Sequence, residues 1–104
     1  MRVDYASNQL EKVCTDESVM RRKQGKIADK LRLRVNALYK AATVGDLPTL
    51  DLGGKWHPIE AIRPGCWSGW TSKNHRIIIR PQTDEADLEA ATVVLVEAVG
   101  EDYH

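Results

Sequence analysis

Near its end the chain reads T-V-V-L-V-E-A-V, Thr92 to Val99, and no other stretch restricts the fold as much. Val93 to Val96 are apolar at successive positions. A strand with one wet face alternates, whereas a strand without alternation is covered on both sides. The run is also too short to cross a bilayer. A chain of 104 residues must then bury this strand within one domain, residues 1–104, that holds a single modest core. Its 42% hydrophobic and 29% charged residues are the proportions of an ordinary globular protein.

The preceding residues supply partners for that strand. W-H-P-I-E-A-I, C-W-S-G-W-T and H-R-I-I-I-R are strand-like and separated by R-P-G and S-K-N, so antiparallel neighbours are expected. R-V-D-Y-A at the start alternates and predicts a short first strand. Ser7 is placed to cap a short helix over N-Q-L-E-K-V, and Asp16 or Ser18 to cap a second. In that second helix Ile27, Leu31, Val35, Leu38 and Ala42 recur at steps of three and four, with Lys23, Lys26, Lys30 and Arg34 on a flanking basic stripe. The helix is expected to run to about Thr43 and to be followed by a Gly-rich loop, V-G-D-L-P-T-L-D-L-G-G. The predicted fold is α+β in the order β-α-α-β-β-β-β: two N-terminal helices on one face of a curved, mainly antiparallel sheet, the other face free.

Charge is balanced in total but not in place. Residues 1–40 hold ten Lys/Arg against five Asp/Glu, residues 41–80 five against three, and residues 81–104 none against seven. A phosphate-facing surface therefore requires the acidic groups, Asp84 to Glu89 among them, to point elsewhere. Cys14 and Cys66 lack metal-ligand spacing and read as free thiols of a cytoplasmic protein. M-R-V-D-Y-A-S has no apolar stretch behind it, so no secretory signal is expected.

Strand periodicity sets Ile77 and Ile79 toward the helices and Arg76, Ile78 and Arg80 toward the open face. Two guanidiniums there are either solvated strand residues or forks for phosphate oxygens. Trp67 and Trp70, three apart, point to opposite faces; one belongs to the core and the other is available to stack on a base. His57 begins a strand, His75 faces the helices or a turn, and Arg63 and Lys73 sit beside turns. Asp102, Tyr103 and His104 follow the last strand directly. With Arg76 and His57 they compose a set able to cleave an RNA phosphodiester: a base removes the 2′-hydroxyl proton, a cation holds the phosphorane charge, and an acid protonates the 5′-oxygen. Such chemistry needs no metal, and no metal-ligand pattern is visible.

Two stretches resemble a known family. G-C-W-S-G-W-T-S-K-N-H-R-I-I-I-R, Gly65 to Arg80, is similar to a Gly-x-aromatic-Ser motif leading into an Asn-x-Arg-Ile strand. V-L-V-E-A-V-G-E-D-Y-H is similar to a hydrophobic final strand ending in Asp-Tyr-His. Both resemble the HigB branch ("plasmid maintenance killer") of the RelE/ParE toxin superfamily. The resemblance implies a small toxin that enters the A site of the 70S ribosome, cuts translated mRNA without metal or other cofactor, and is held inactive by a cognate antitoxin of helix-turn-helix type. It implies a catalytic set of His57, Arg76, Asp102, Tyr103 and His104, with Arg76 on the scissile phosphate and Arg63, Lys73, Arg80 and Trp70 as further RNA contacts. Trp70 stands where many relatives carry a basic residue. Two other readings are compatible with the same family: a ParE-type gyrase inhibitor without enzymatic activity, and an inactive member that only binds its antitoxin and represses transcription with it.

Overall fold

The computed structural model describes the backbone of residues 1–102 and the side chains of residues 1–100, so the expectations for Tyr103, His104 and the Asp102 carboxylate lie outside the described residues. In chain order the elements are β1 (Arg2–Tyr5), α1 (Asn8–Thr15), α2 (Glu17–Gln24), α3 (Ala28–Lys40), α4 (Leu47–Leu50), β2 (His57–Pro58), β3 (Trp67–Ser72), β4 (His75–Gln82) and β5 (Val93–Asp102). Single 3-10 turns lie at Val44–Asp46, Leu52–Gly54 and Leu88–Ala90. Among the described residues no helix is long and apolar enough to cross a membrane.

The strands form one sheet in the order β1-β5-β4-β3-β2. Neighbours joined by short connections are antiparallel, and β1 returns to lie parallel to β5. This is the α+β arrangement expected, with β5 inside the sheet. Val94 and Val96 are fully buried under the helices, while Val93 and Leu95 on the opposite side are half-buried. The unbroken apolar run thus marks a central strand whose two covers are unequal.

Caps start the helices where their side chains allow. Ser7 Oγ accepts from the Leu10 N–H (3.2 Å), and Asp16 Oδ1 accepts from the N–H groups of Ser18 (3.0 Å) and Val19 (3.3 Å). The long second helix expected from the periodicity is in fact two. After Gln24 the chain tightens, with Ile27 N–H donating to Gln24 O, and Ile27 leaves helical geometry (φ −114°, ψ 4°) before α3 begins. Leu31, Val35 and Leu38 keep the predicted apolar face, whereas Ala42 falls beyond the helix end and is exposed. Arg34 leaves the solvated stripe altogether, being only 3% exposed.

Two further expectations are corrected. Of W-H-P-I-E-A-I only His57 and Pro58 pair as strand, because Ile59 starts a tight loop in which its carbonyl accepts from Ile62 and Arg63. Nor is the face opposite the helices fully free. Ile59 and Cys66 fold over it and bury Ile78 and Ala98 in a second, smaller apolar cluster. The main core lies on the other side, where Ile77, Ile79, Val94, Val96 and Trp67 meet Leu31, Val35 and Leu38.

Candidate functional site

Strand register decides which side chains share the face away from the helices. One row runs His57–Ser68–Ile78–Ala98 across β2, β3, β4 and β5. Its neighbour contains Trp70 and Arg76, directly paired, and continues to Glu101. Next, His75 pairs in register with Asp102. The strand thus carries Asp102 to the β3–β4 turn, beside Arg76.

Arg76 is half-buried and fixed at one edge. Its Nη1 donates to Ser72 O (2.6 Å) and His75 O (2.8 Å), with Lys73 O further off (3.5 Å), so it ties down the turn between β3 and β4. Nε and Nη2 make no hydrogen bond among the described residues and remain available. The guanidinium is held by three carbonyls without being neutralised by a carboxylate among the described side chains, a combination suited to receiving an anion.

Trp70 lies across from Arg76, half-buried, with Lys55 Nζ 5.4 Å from its ring centroid. Trp67 takes the opposite side and joins the core, as spacing predicts. Behind Trp70 is a buried network that sequence reasoning missed. Arg34 donates through Nε to Trp70 O (2.8 Å) and through Nη1 to Asp51 Oδ1 (2.5 Å), while Asp51 Oδ2 accepts from Trp56 Nε1 (3.0 Å). It locks α3 and the 51–56 segment to β3 where the β3–β4 register shifts between Trp70 and Ser72. A signal was present: Arg34 stands three residues after Leu31 and four before Leu38, on the apolar face itself.

Among the described residues His57, Arg63 and Arg80 do not gather at Arg76. His57 is exposed, two strands and two positions away, roughly 12 Å between backbones by ordinary sheet spacings. Its Nδ1 donates to Lys55 O (2.6 Å), which leaves Nε2 as the acceptor of the neutral ring. Lys73 is an exposed turn residue. Arg80 and Arg63 converge instead on Glu97. Arg80 Nε lies 2.5 Å from Glu97 Oε2 and its Nη1 donates to Pro64 O (3.0 Å); Arg63 Nε is 3.7 Å from Glu97 Oε1. Arg80 is therefore engaged in holding the 59–66 loop, although its side chain remains partly exposed. His75 faces the helical side, as expected, with Nδ1 2.6 Å from Ser72 Oγ.

Both cysteines are free and buried. Burial pushes the Cys14 thiol up to about 12, and burial with the Glu97 hydrogen bond pushes Cys66 up to about 11, so neither is a thiolate nucleophile near neutrality.

The chain is similar to a solved toxin structure. That protein is a "YoeB/ParE toxin from Agrobacterium tumefaciens", matched with a TM-score of 0.54 at 15% identity over 100% of this chain and 99% of that one. At such identity the likeness establishes the fold alone, and it does so over the whole length. No protein-family model matches the sequence, and no curated protein aligns with it significantly.

Proposed function

We propose that this chain is the toxin of a toxin–antitoxin pair, of the HigB type, acting in the cytoplasm as a ribosome-dependent endoribonuclease on translated mRNA. The observation that carries the reading is Arg76: one edge of its guanidinium is fixed by backbone carbonyls, the other makes no hydrogen bond among the described residues, and it lies beside Trp70 and beside the strand that carries Asp102. The toxin fold of the solved relative supports it. In this reading the free edge of Arg76 holds the scissile phosphate. A base among His57, Asp102 and His104 removes the 2′-hydroxyl proton, the 2′-oxygen attacks phosphorus, and an acid from the same set protonates the departing 5′-oxygen. The products are a 2′,3′-cyclic phosphate and a new 5′-hydroxyl end. Tyr103 donates a hydrogen bond to a phosphate oxygen. The partners are the 70S ribosome with its mRNA and a cognate antitoxin, of helix-turn-helix type.

A second reading, a gyrase-binding toxin without enzymatic activity, is favoured by one observation: Arg63 and Arg80 are drawn to Glu97 and leave the sheet face poor in available cations. Mapping mRNA 5′ ends after induction separates the two. The nuclease reading expects new ends inside translated messages, reduced about 100-fold or more by Arg76→Ala or His104→Ala. Growth arrest without new ends would remove it in favour of the gyrase reading.

A further inference from the structure

Cations without a carboxylate partner among the described residues are more numerous on the helical side than on the sheet face. Most carboxylates of the helical region are engaged: Glu17 and Asp29 each pair with Arg21 and Arg32, Asp51 pairs with Arg34, and Asp16 caps α2, while Glu11 on α1 makes no ion pair among the described residues. Lys12, Arg22, Lys23 and Lys26 make no ion pair among the described residues. Lys12, Arg22 and Lys23 line, together with Asp16, a concavity of about 490 Å³ between α1 and α2, and Lys23 and Lys26 line an adjoining one of about 200 Å³ where α2 breaks from α3. Lys23 and Gln24 belong to both, and the second reaches His75.

This basic path leads to the end of β5. Gln24 packs against Gly100, where a Cβ would stand 2.7 Å from Gln24 Oε1, and His75 pairs with Asp102. The break between α2 and α3, which the periodicity alone does not require, is what brings the path there.

We propose that the two concavities form one track for the phosphates of a single RNA strand, the strand to be cut, with Lys12, Arg22, Lys23 and Lys26 as its cations. The proposal rests on the RNA-cutting reading and extends it around the edge of the sheet. An acidic protein segment is the competing occupant. Val13 and Val19 in the first concavity and the largely buried Ile27 in the second give such a segment some apolar contact, but the unpaired cations run through both and lead to the turn that Arg76 ties down, which favours the RNA strand.

The test is the salt dependence of binding to a labelled, uncleavable 2′-O-methyl oligouridylate, read by fluorescence anisotropy. Each phosphate contact on a single strand contributes about 0.7 to the slope of log affinity against log salt. Replacing Lys23→Gln and Lys26→Gln together is expected to lower the slope by about 1.4. Lys30→Gln with Lys40→Gln, two exposed α3 lysines outside both concavities, is expected to leave it unchanged. Equal slopes for the two double variants, or no binding by the unaltered protein, would overturn the track while leaving any mapped cleavage in cells intact. Tighter binding to an oligoglutamate peptide than to the RNA, weakened by the Lys23/Lys26 change, would overturn it in favour of a protein partner. A reduced slope with no new mRNA ends in cells would keep the track and remove the cutting.

Discussion

Glu97 shows how one carboxylate can decide what a whole sheet face offers. It accepts from Arg80 Nε and Nη2, lies near Arg63, and takes a 3.4 Å contact from the Cys66 thiol. The Arg80 hydrogen bond holds its carboxyl below the usual glutamate range; the Cys66 hydrogen bond and the guanidinium charges add to this, against partial burial. A carboxyl with a lowered folded pKa stabilises the fold above its unfolded value, about 4.3, and loses that contribution as pH falls through the lower folded value. Glu97→Gln is therefore expected to lower the urea midpoint at pH 7, and the gap from the unaltered protein should close as both are acidified below about pH 4. A gap of constant size down to pH 3 would remove the ion pair as its cause. Alternation along β4 was enough to place Arg80 on this face, but not to find its partner. Ile78 pairs with Ala98 and Ile79 with Val96, so Glu97 is the extra residue of a bulge, where the period of two fails.

At the scale of elements, close packing dictates where small residues must stand. Gly69 in β3 lies beneath the Trp56 indole, and a Cβ there would come within 2.6–2.8 Å of three ring carbons. The indole cannot retreat, being 3% exposed and tied through Nε1 to Asp51. Gly69→Ala is expected to cost roughly 1–3 kcal/mol in thermal or urea unfolding, the usual penalty for overpacking a core. An unchanged melting temperature would mean that β3 can shift away from α3, and that the Arg34 hydrogen bond to Trp70 O does not hold it. This contact joins residues far apart in the chain, and such contacts are where sequence reading stops. Caps, strand faces and the helical stripe depend on near neighbours and were legible, from Ser7 and Asp16 to the opposed Trp67 and Trp70. The spacing from Ile27 through Leu38 is the same with or without a break on its N-terminal side, so it could not reveal one. A two-residue β2 was hidden because Ile59 is apolar for the sake of the Cys66–Ile78–Ala98 cluster, not for pairing in a strand.

For the molecule as a whole, neutrality conceals two poles. β4 runs from His75 to Gln82, so the β3–β4 turn and the connection from β4 to β5 lie roughly 23 Å apart by strand rise. Asp84, Glu85 and Glu89 are exposed at the second end and make no ion pair among the described residues, while Lys23 and Lys26 lie near the first. An RNA strand approaching the basic pole feels the acidic one only through solvent. Counter-ions screen that field over about 30 Å at 0.01 M ionic strength and about 8 Å at 0.15 M. Asp84→Asn, Glu85→Gln and Glu89→Gln combined are thus expected to strengthen oligouridylate binding several-fold at the lower ionic strength and to leave it unchanged at the higher one. If the gain persisted at 0.15 M, the acidic connection would be in contact with the strand instead of distant from it. The two ends of β4 would then no longer be separate electrostatic regions, and the balanced total charge would act as local neutralisation instead of orienting the protein on an RNA strand.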